Sequence, residues 1–262
     1  MKISIITAVL NRHETIADAI LSTQAQTWSD REHVIQDGGS TDGTLNILRS
    51  LADDHTCLRS ESDKGIYDAI NRGISRSSSD VVGLMHSDDV FAHNRILEKV
   101  ADAMSDPEID GVYGDLEYIS ASNPHQVIRY WKSGHYDQAR LKYGWMPPHP
   151  TVYLRRSVFE RWGLYDTRFR ISADYDAMLR YLVQGGIKLA YIPEVLVKMR
   201  VGGESNRSLG RILLKSREDM IAIQRNSVGG VGTLLSKNFS KVGQFMHRRR
   251  TTFPLPHEEI CA

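Results

Sequence analysis

Residues 80–89 read Asp80-Val81-Val82-Gly83-Leu84-Met85-His86-Ser87-Asp88-Asp89, a short apolar run that ends in two adjacent carboxylates. The run 81–85 has the length and apolarity of a strand buried on both faces. Acids at the carboxyl end of such a strand, in a chain that alternates strand and helix, sit where open α/β sheets bind ligands. They can hold a hard divalent cation, Mg²⁺ or Mn²⁺, and that cation can hold a diphosphate. Asp89 is the expected metal ligand, and Asp88 the expected contact to the ribose or sugar of a nucleoside-diphosphate donor. The alternative is that one aspartate caps the helix starting near His93 while the other is solvated.

Three further places carry usable chemistry. Asp37 ends a second strand, and Gly38-Gly39 after it let a ligand approach the backbone. Its carboxylate can accept a ring N–H of a nucleobase or bond its own turn, and spacing alone leaves the two level. Asp174, in Ile171-Ser172-Ala173-Asp174-Tyr175-Asp176, opens a helix. It can deprotonate an attacking hydroxyl, or it can simply complement the helix dipole. His149, inside Pro147-Pro148-His149-Pro150, stands on a rigid segment expected to be extended and free of helix. With Tyr143 it is the candidate for an acceptor site, against the plainer reading of a structural loop histidine. Asp63, Tyr67, Asp68 and Asn71 form a polar cluster in which Asp68 and Asn71 share a helix face and Tyr67 points elsewhere.

The elements that must position these groups follow from the hydrophobic pattern. Strands are expected at 3–9, 32–36, 57–61 and 81–85, with helices at 14–26, 44–51 and 66–75 between them. This β-α-β-α-β-α-β order predicts a mostly parallel sheet with helices on both faces. Beyond residue 89 the expected elements are helices at 96–104, 157–162, 174–183 and 209–224, and strands at 111–119, 127–130, 151–154, 187–192 and 195–199. Residues 134–145 read as irregular.

Composition is that of a globular protein with a real core: 41% hydrophobic and 25% charged residues in 262. A net charge of +1 supplies no global basic field and argues against a nucleic-acid partner. Cys57 and Cys261 make neither a metal-ligand spacing nor a disulfide framework. The opening apolar run is too short for a signal peptide, and no stretch has the length to span a bilayer, so the expected location is cytoplasmic. From residue 229 the pattern changes. Val231, Leu234, Leu235, Phe239, Val242, Phe245 and Met246 recur at helical spacing among Lys237, Lys241 and Arg248-Arg249-Arg250, with no acid from 229 to 250. This basic amphipathic tail suits peripheral attachment to an anionic membrane face; its plainer alternative is a last helix packed on the domain. The end, 251–262, is expected to lack order.

Taken together, five motifs resemble a family 2 glycosyltransferase of the GT-A fold: Ser4-Ile5-Ile6-Thr7, the run Asp37 to Thr44, the run Asp63 to Asn71, Ser87-Asp88-Asp89 and Ala173-Asp174-Tyr175-Asp176. The likeness covers residues 1–203 and is nearest to the bacterial subgroup that builds O-antigen, capsule or exopolysaccharide. It implies a Rossmann-like α/β domain over 1–203 with a C-terminal helical tail over 204–262. It also implies an inverting transfer from a nucleotide-sugar to a polyprenyl-diphosphate-linked or glycan acceptor. Thr7, Asn11, Asp37, Asp63, Asp68, Asn71 and Asp88 would then serve the donor, Asp89 the metal, and Asp174 the base. Two positions depart from the family's pattern: Ala173 stands where a glutamate is usual, and Gly38 where a second aspartate is usual. Two other readings stay open. A sugar nucleotidyltransferase would need a glycine-rich phosphate loop after the first strand, which Asn11-Arg12 does not supply. A non-catalytic nucleotide-sugar-binding protein would use Asp174 only as a helix-start residue.

Overall fold

The computed structural model describes residues 1–201 and 209–239. Its first strand, β1 (Ile3–Val9), is apolar at nearly every position because helices cover both of its faces. Ile3 and Ile5 pack with Ile16 and Ile20 of α1 (Ile16–Gln24) on one side. Ile6, pointing the other way, packs with Ile70 and Ile74 of α3 (Ile66–Arg76). Gly73 lets α3 lie close, since a Cβ there would come within 2.4 Å of Ile6.

The strands β2 (Arg31–Asp37), β3 (Thr56–Ser60) and β4 (Val81–Leu84) join β1 in the parallel order β3-β2-β1-β4, with α2 (Thr44–Leu51) in the β2–β3 crossover. All four carboxyl ends therefore lie along one edge, and the polar loops after them share that edge.

Beyond β4 the sheet becomes mixed. β5 is Val90–Phe91, and α4 (Ile96–Ala103) follows it. Next come β6 (Gly111–Ile119), β7 (Val127–Trp131), β8 (Tyr153–Arg155) and β9 (Leu189–Arg200). β8 is wedged antiparallel between β4 and β6, β9 runs parallel to β6, and β5 and β7 are antiparallel partners of β9 and β6. The two strands expected at 187–192 and 195–199 are one strand. It carries Pro193 through a register shift opposite Gly114, where a bulge removes the need for a ladder N–H.

Local proline chemistry also changes the segment before β8. Instead of a helix-free run, His149–Thr151 makes a 3₁₀ turn, closed by Thr151 donating through Oγ1 to the Pro148 carbonyl at 2.8 Å. A second 3₁₀ segment, Gln138–Tyr143, occupies the stretch expected to be irregular, and Asp137 caps it. The helices α5 (Arg156–Trp162) and α6 (Ala173–Leu179) follow, and α6 widens into a π turn over Arg180–Gln184.

The chain ends, as described, with α7 (Leu209–Arg225) and α8 (Val231–Phe239), which pack on each other and on α6 and the 138–143 segment. Lys241, Arg248 to Arg250, Cys261 and the expected disordered end lie outside the described residues. Cys57 is exposed and free. No described helix is long and apolar enough to cross a membrane.

Candidate active site

A cavity of about 530 Å³ opens beside the carboxyl ends of the strands, between α3, α6, the 138–143 segment and the α7–α8 pair. Asp174 is on its wall, in the first turn of α6. Its Oδ1 lies 3.1 Å from the Tyr67 hydroxyl, whose single proton is shared with the Ile171 carbonyl at 2.5 Å. Burial, reinforced by the Asp174 charge, pushes the Tyr67 pKa well above its ordinary value, so this phenol stays a donor. Tyr67 thus points at the acid, contrary to the expectation that it turns away. Buried hydroxyls flank the same spot: Ser172 Oγ and Tyr175 OH have no hydrogen-bond partner among the described residues.

The backbone leading into α6 is held by a residue that the sequence reading passed over. Glu218 of α7 accepts from three successive amides, Arg170, Ile171 and Ser172, at 2.9, 2.8 and 2.9 Å. A buried carboxylate here satisfies amides near the helix start and complements the dipole. Ala173 cannot do so, and an acid from a distant helix supplies the charge instead.

His149 lies on the cavity wall, buried, with Nε2 2.9 Å from the Tyr165 hydroxyl. Burial lowers its pKa to about 4, so the ring is neutral near pH 7. Tyr143 stands exposed at the mouth. Among the described residues that line the cavity, six are cations (Lys132, Arg140, Arg170, Arg211, Lys215 and Lys237) and two are acids, Asp174 and Asp219. Trp131 and Trp145 add flat apolar walls. The interleaving of aromatic and basic residues in 130–145 was the available signal for this wall.

Lys237 is not a surface lysine. It is buried, 2.8 Å from Asp219 Oδ1 and 3.2 Å above the Tyr175 ring, while Lys215 pairs with the other Asp219 oxygen at 2.9 Å. Burial alone would raise the Asp219 pKa, but the two ammonium groups outweigh it and hold that pKa below its usual value.

The acid pair follows β4 directly. Asp89 is completely buried; its Oδ1 accepts from the Arg200 amide at 3.3 Å, and its Oδ2 has no partner among the described residues. Burial, then the neighbouring Asp88 charge, push its pKa well up. Arg200, at the end of β9, also pairs with Asp18 of α1 and reaches the Asp88 carbonyl at 3.4 Å. His86 and Tyr118 connect this corner to the cavity, since both line it and Tyr118 feels the Asp89 charge. An orphaned buried carboxylate oxygen beside a second carboxylate suits a hard cation. Among the described residues no group of three or more acid, histidine or cysteine side chains is placed to bind one.

The remaining donor-side candidates gather at the β1–β3 end of the same edge. Asp37 is buried and accepts from the Ser40 and Gly39 amides and from the Ser40 and Ser60 hydroxyls, the turn alternative of the sequence reading. Asn11, at φ 51°, accepts the Thr41 amide and ties the first loop to the second. Asp63 packs on Gly38 and accepts the Gly65 amide at 2.8 Å. Three candidates are committed within the protein. Thr7 is buried and donates to the Met85 carbonyl, Asp68 accepts the Lys64 amide and pairs with Arg72, and Asn71 exchanges two hydrogen bonds with the Tyr165 backbone.

With this geometry in hand, similarity to known proteins assigns the family. The model of Glycosyl transferase family 2 matches residues 4–163. The chain belongs to that family. A PGL/p-HBAD biosynthesis glycosyltransferase of Mycobacterium bovis is 30% identical over 217 residues, 81% of this chain and 82% of the relative. Among solved structures, S. aureus TarS 1–349 in complex with UDP-GlcNAc superposes with a TM-score of 0.67 at 15% identity, over 92% of this chain and 73% of that one. The mannosyltransferase PcManGT from Pyrobaculum calidifontis, in complex with GDP-Man and Mn²⁺, gives 0.65 at 15% identity, over 90% and 69%. Of a longer TarS chain this protein spans 40%. The fold of this family 2 glycosyltransferase is thus the GT-A type expected from its motifs.

Proposed function

We propose that this protein is a metal-dependent, inverting glycosyltransferase. It moves a sugar from a nucleoside-diphosphate sugar to a hydroxyl of a polyprenyl-diphosphate-linked or glycan acceptor, in bacterial surface-polysaccharide assembly. The observation that carries this reading is Asp174, a carboxylate on a cavity wall beside a phenol whose pKa burial raises. The donor complexes of TarS and PcManGT support a nucleoside-diphosphate leaving group, and the Mn²⁺ of the second supports a cation.

Asp174 takes the proton of the acceptor hydroxyl as that oxygen bonds to the anomeric carbon. The bond from that carbon to the diphosphate oxygen breaks, its electron pair leaves on the diphosphate, and attack from the opposite face inverts the centre. Asp89, through its orphaned Oδ2, and Asp88 would hold Mg²⁺ or Mn²⁺, which when bound neutralises charge on the departing diphosphate. Asn11, Asp37 and Asp63 border the nucleoside side, while Thr7, Asp68 and Asn71 brace it from behind. Tyr143, His149 and the aromatic and cationic wall receive the acceptor. The enzyme works in the cytoplasm against the inner membrane face.

A thermal-shift panel tests the donor half. UDP or GDP should raise the melting temperature when Mn²⁺ is present and much less when it is absent. Anomeric NMR of the product formed from the matching nucleotide-sugar should report inversion. No stabilisation by any nucleoside diphosphate, with or without metal, contradicts the reading.

A further inference from the structure

Both α7 and α8 carry large apolar side chains on their outward faces, and α8 buries polar ones beneath them. α8 buries Thr233 and Lys237, one turn apart, and exposes Val231 and Leu235, also one turn apart, at 64% and 51%. α7 buries Glu218 and Ala222 against the body and exposes Leu213 at 71% and Ile221 at 41%. Both helices lay their buried stripes on the same body, so their exposed faces form one outward surface. Residues so apolar in so exposed a place mark an interaction surface.

Charge says what kind. The only acids in 209–239 are Glu218 and Asp219, and both are buried. Arg217, by contrast, is exposed on the outward side of α7, while Arg225 is exposed but pairs with Asp166 at 2.8 Å and Arg211 lines the cavity. The chain that continues from α8 adds Lys241 and Arg248 to Arg250, with no acid before Glu258.

We infer that the outward face of α7 and α8 docks on an anionic lipid bilayer, with Leu213, Val231 and Leu235 entering the interface and Arg217 meeting headgroup phosphates. The inference rests on the acceptor being lipid-borne, and it gives that acceptor a route. The inner side of the same helices supplies Lys215, Ser236 and Lys237 to the cavity that holds Asp174. Docking therefore brings the cavity to the membrane surface, and a headgroup-linked hydroxyl reaches the acid without leaving the leaflet.

Flotation of the full chain with vesicles tests this. The protein should float with phosphatidylcholine vesicles containing phosphatidylglycerol, stay behind with phosphatidylcholine alone, and be released by salt. The double variant Leu213→Asp, Leu235→Asp should lose about ten-fold in vesicle affinity. Its stabilisation by UDP or GDP with Mn²⁺ should stay as in the wild type, because neither leucine lines the cavity. Three results overturn the inference: unchanged flotation of the double variant, loss of flotation only in an Arg248→Ala, Arg249→Ala, Arg250→Ala variant, or a wild-type dimer in light scattering that Leu235→Asp splits. Vesicle binding is read without any donor, so its failure is distinct from failure of the transferase reading.

Discussion

Tyr67 and Asp174 stand 107 positions apart in the chain, yet the phenol of one lies 3.1 Å from the carboxylate of the other. The pair joins the first parallel half of the sheet to the helix that carries the acid. Tyr67 limits where the carboxylate can point.

Removing that hydroxyl should loosen the acid without touching the donor. Tyr67→Phe is expected to lower kcat about ten-fold and leave the KM for the nucleotide-sugar unchanged, as befits a positioning group. Steady-state kinetics on the variant separates this from a role in donor binding, which would move KM instead.

Glu218 should matter in the same sense from the other side. Glu218→Gln keeps the shape but removes a charge that faces three amides, and Glu218→Ala leaves those amides unpaired in a buried place. Charge-assisted hydrogen bonds of this kind are worth roughly 1.5–3 kcal/mol. Chemical denaturation should show Ala more destabilised than Gln, and kcat should fall in the same order.

Asp89 predicts a trade between stability and function. Its folded pKa is raised, so at acid pH it is protonated folded and unfolded alike, and its ionisation opposes folding progressively as pH rises above the usual carboxylate range. Asp89→Asn should therefore stabilise the metal-free protein near neutral pH, by roughly 2–4 °C for about 1 kcal/mol, and confer nothing near pH 4. The same variant should lose its response to Mn²⁺. Melting curves across pH, with and without metal, read both effects.

Two buried histidines set the acid side. Burial lowers His33 and His149 from the usual 6.5 to about 4. A depressed histidine contributes stability that is present above its unfolded pKa and is lost as pH falls from 6.5 toward 4. Each ring can account for at most roughly 3 kcal/mol of that loss. Urea titrations between pH 7 and pH 4 should show the decline, and His149→Gln should flatten part of it.

The parallel half of the fold was legible because each strand there is a short apolar run bounded by turn residues, and each helix has a clean apolar stripe. Reading failed where long-range pairing overrides local pattern. Pro193 looked like a break between two strands because the bulge in β9 that accommodates it is defined only by pairing with β6, a strand remote in sequence. Asp174, Asp88 and Asp89 could be named from type and position. Glu218, Arg200 and Lys237 could not, since each acts across the tertiary structure on a residue remote in sequence. Lys237 departs from the pattern around it: its ammonium is partnered by a buried acid that no helical wheel of 229–250 contains.

The most direct test of the central claim is the transfer rate of Asp174→Asn with the matching nucleotide-sugar and acceptor, measured beside nucleoside-diphosphate binding. Loss of a general base at this position predicts a fall in kcat of roughly 10²–10⁴-fold with nucleotide affinity intact. A variant that transfers sugar within a few-fold of wild type would contradict it.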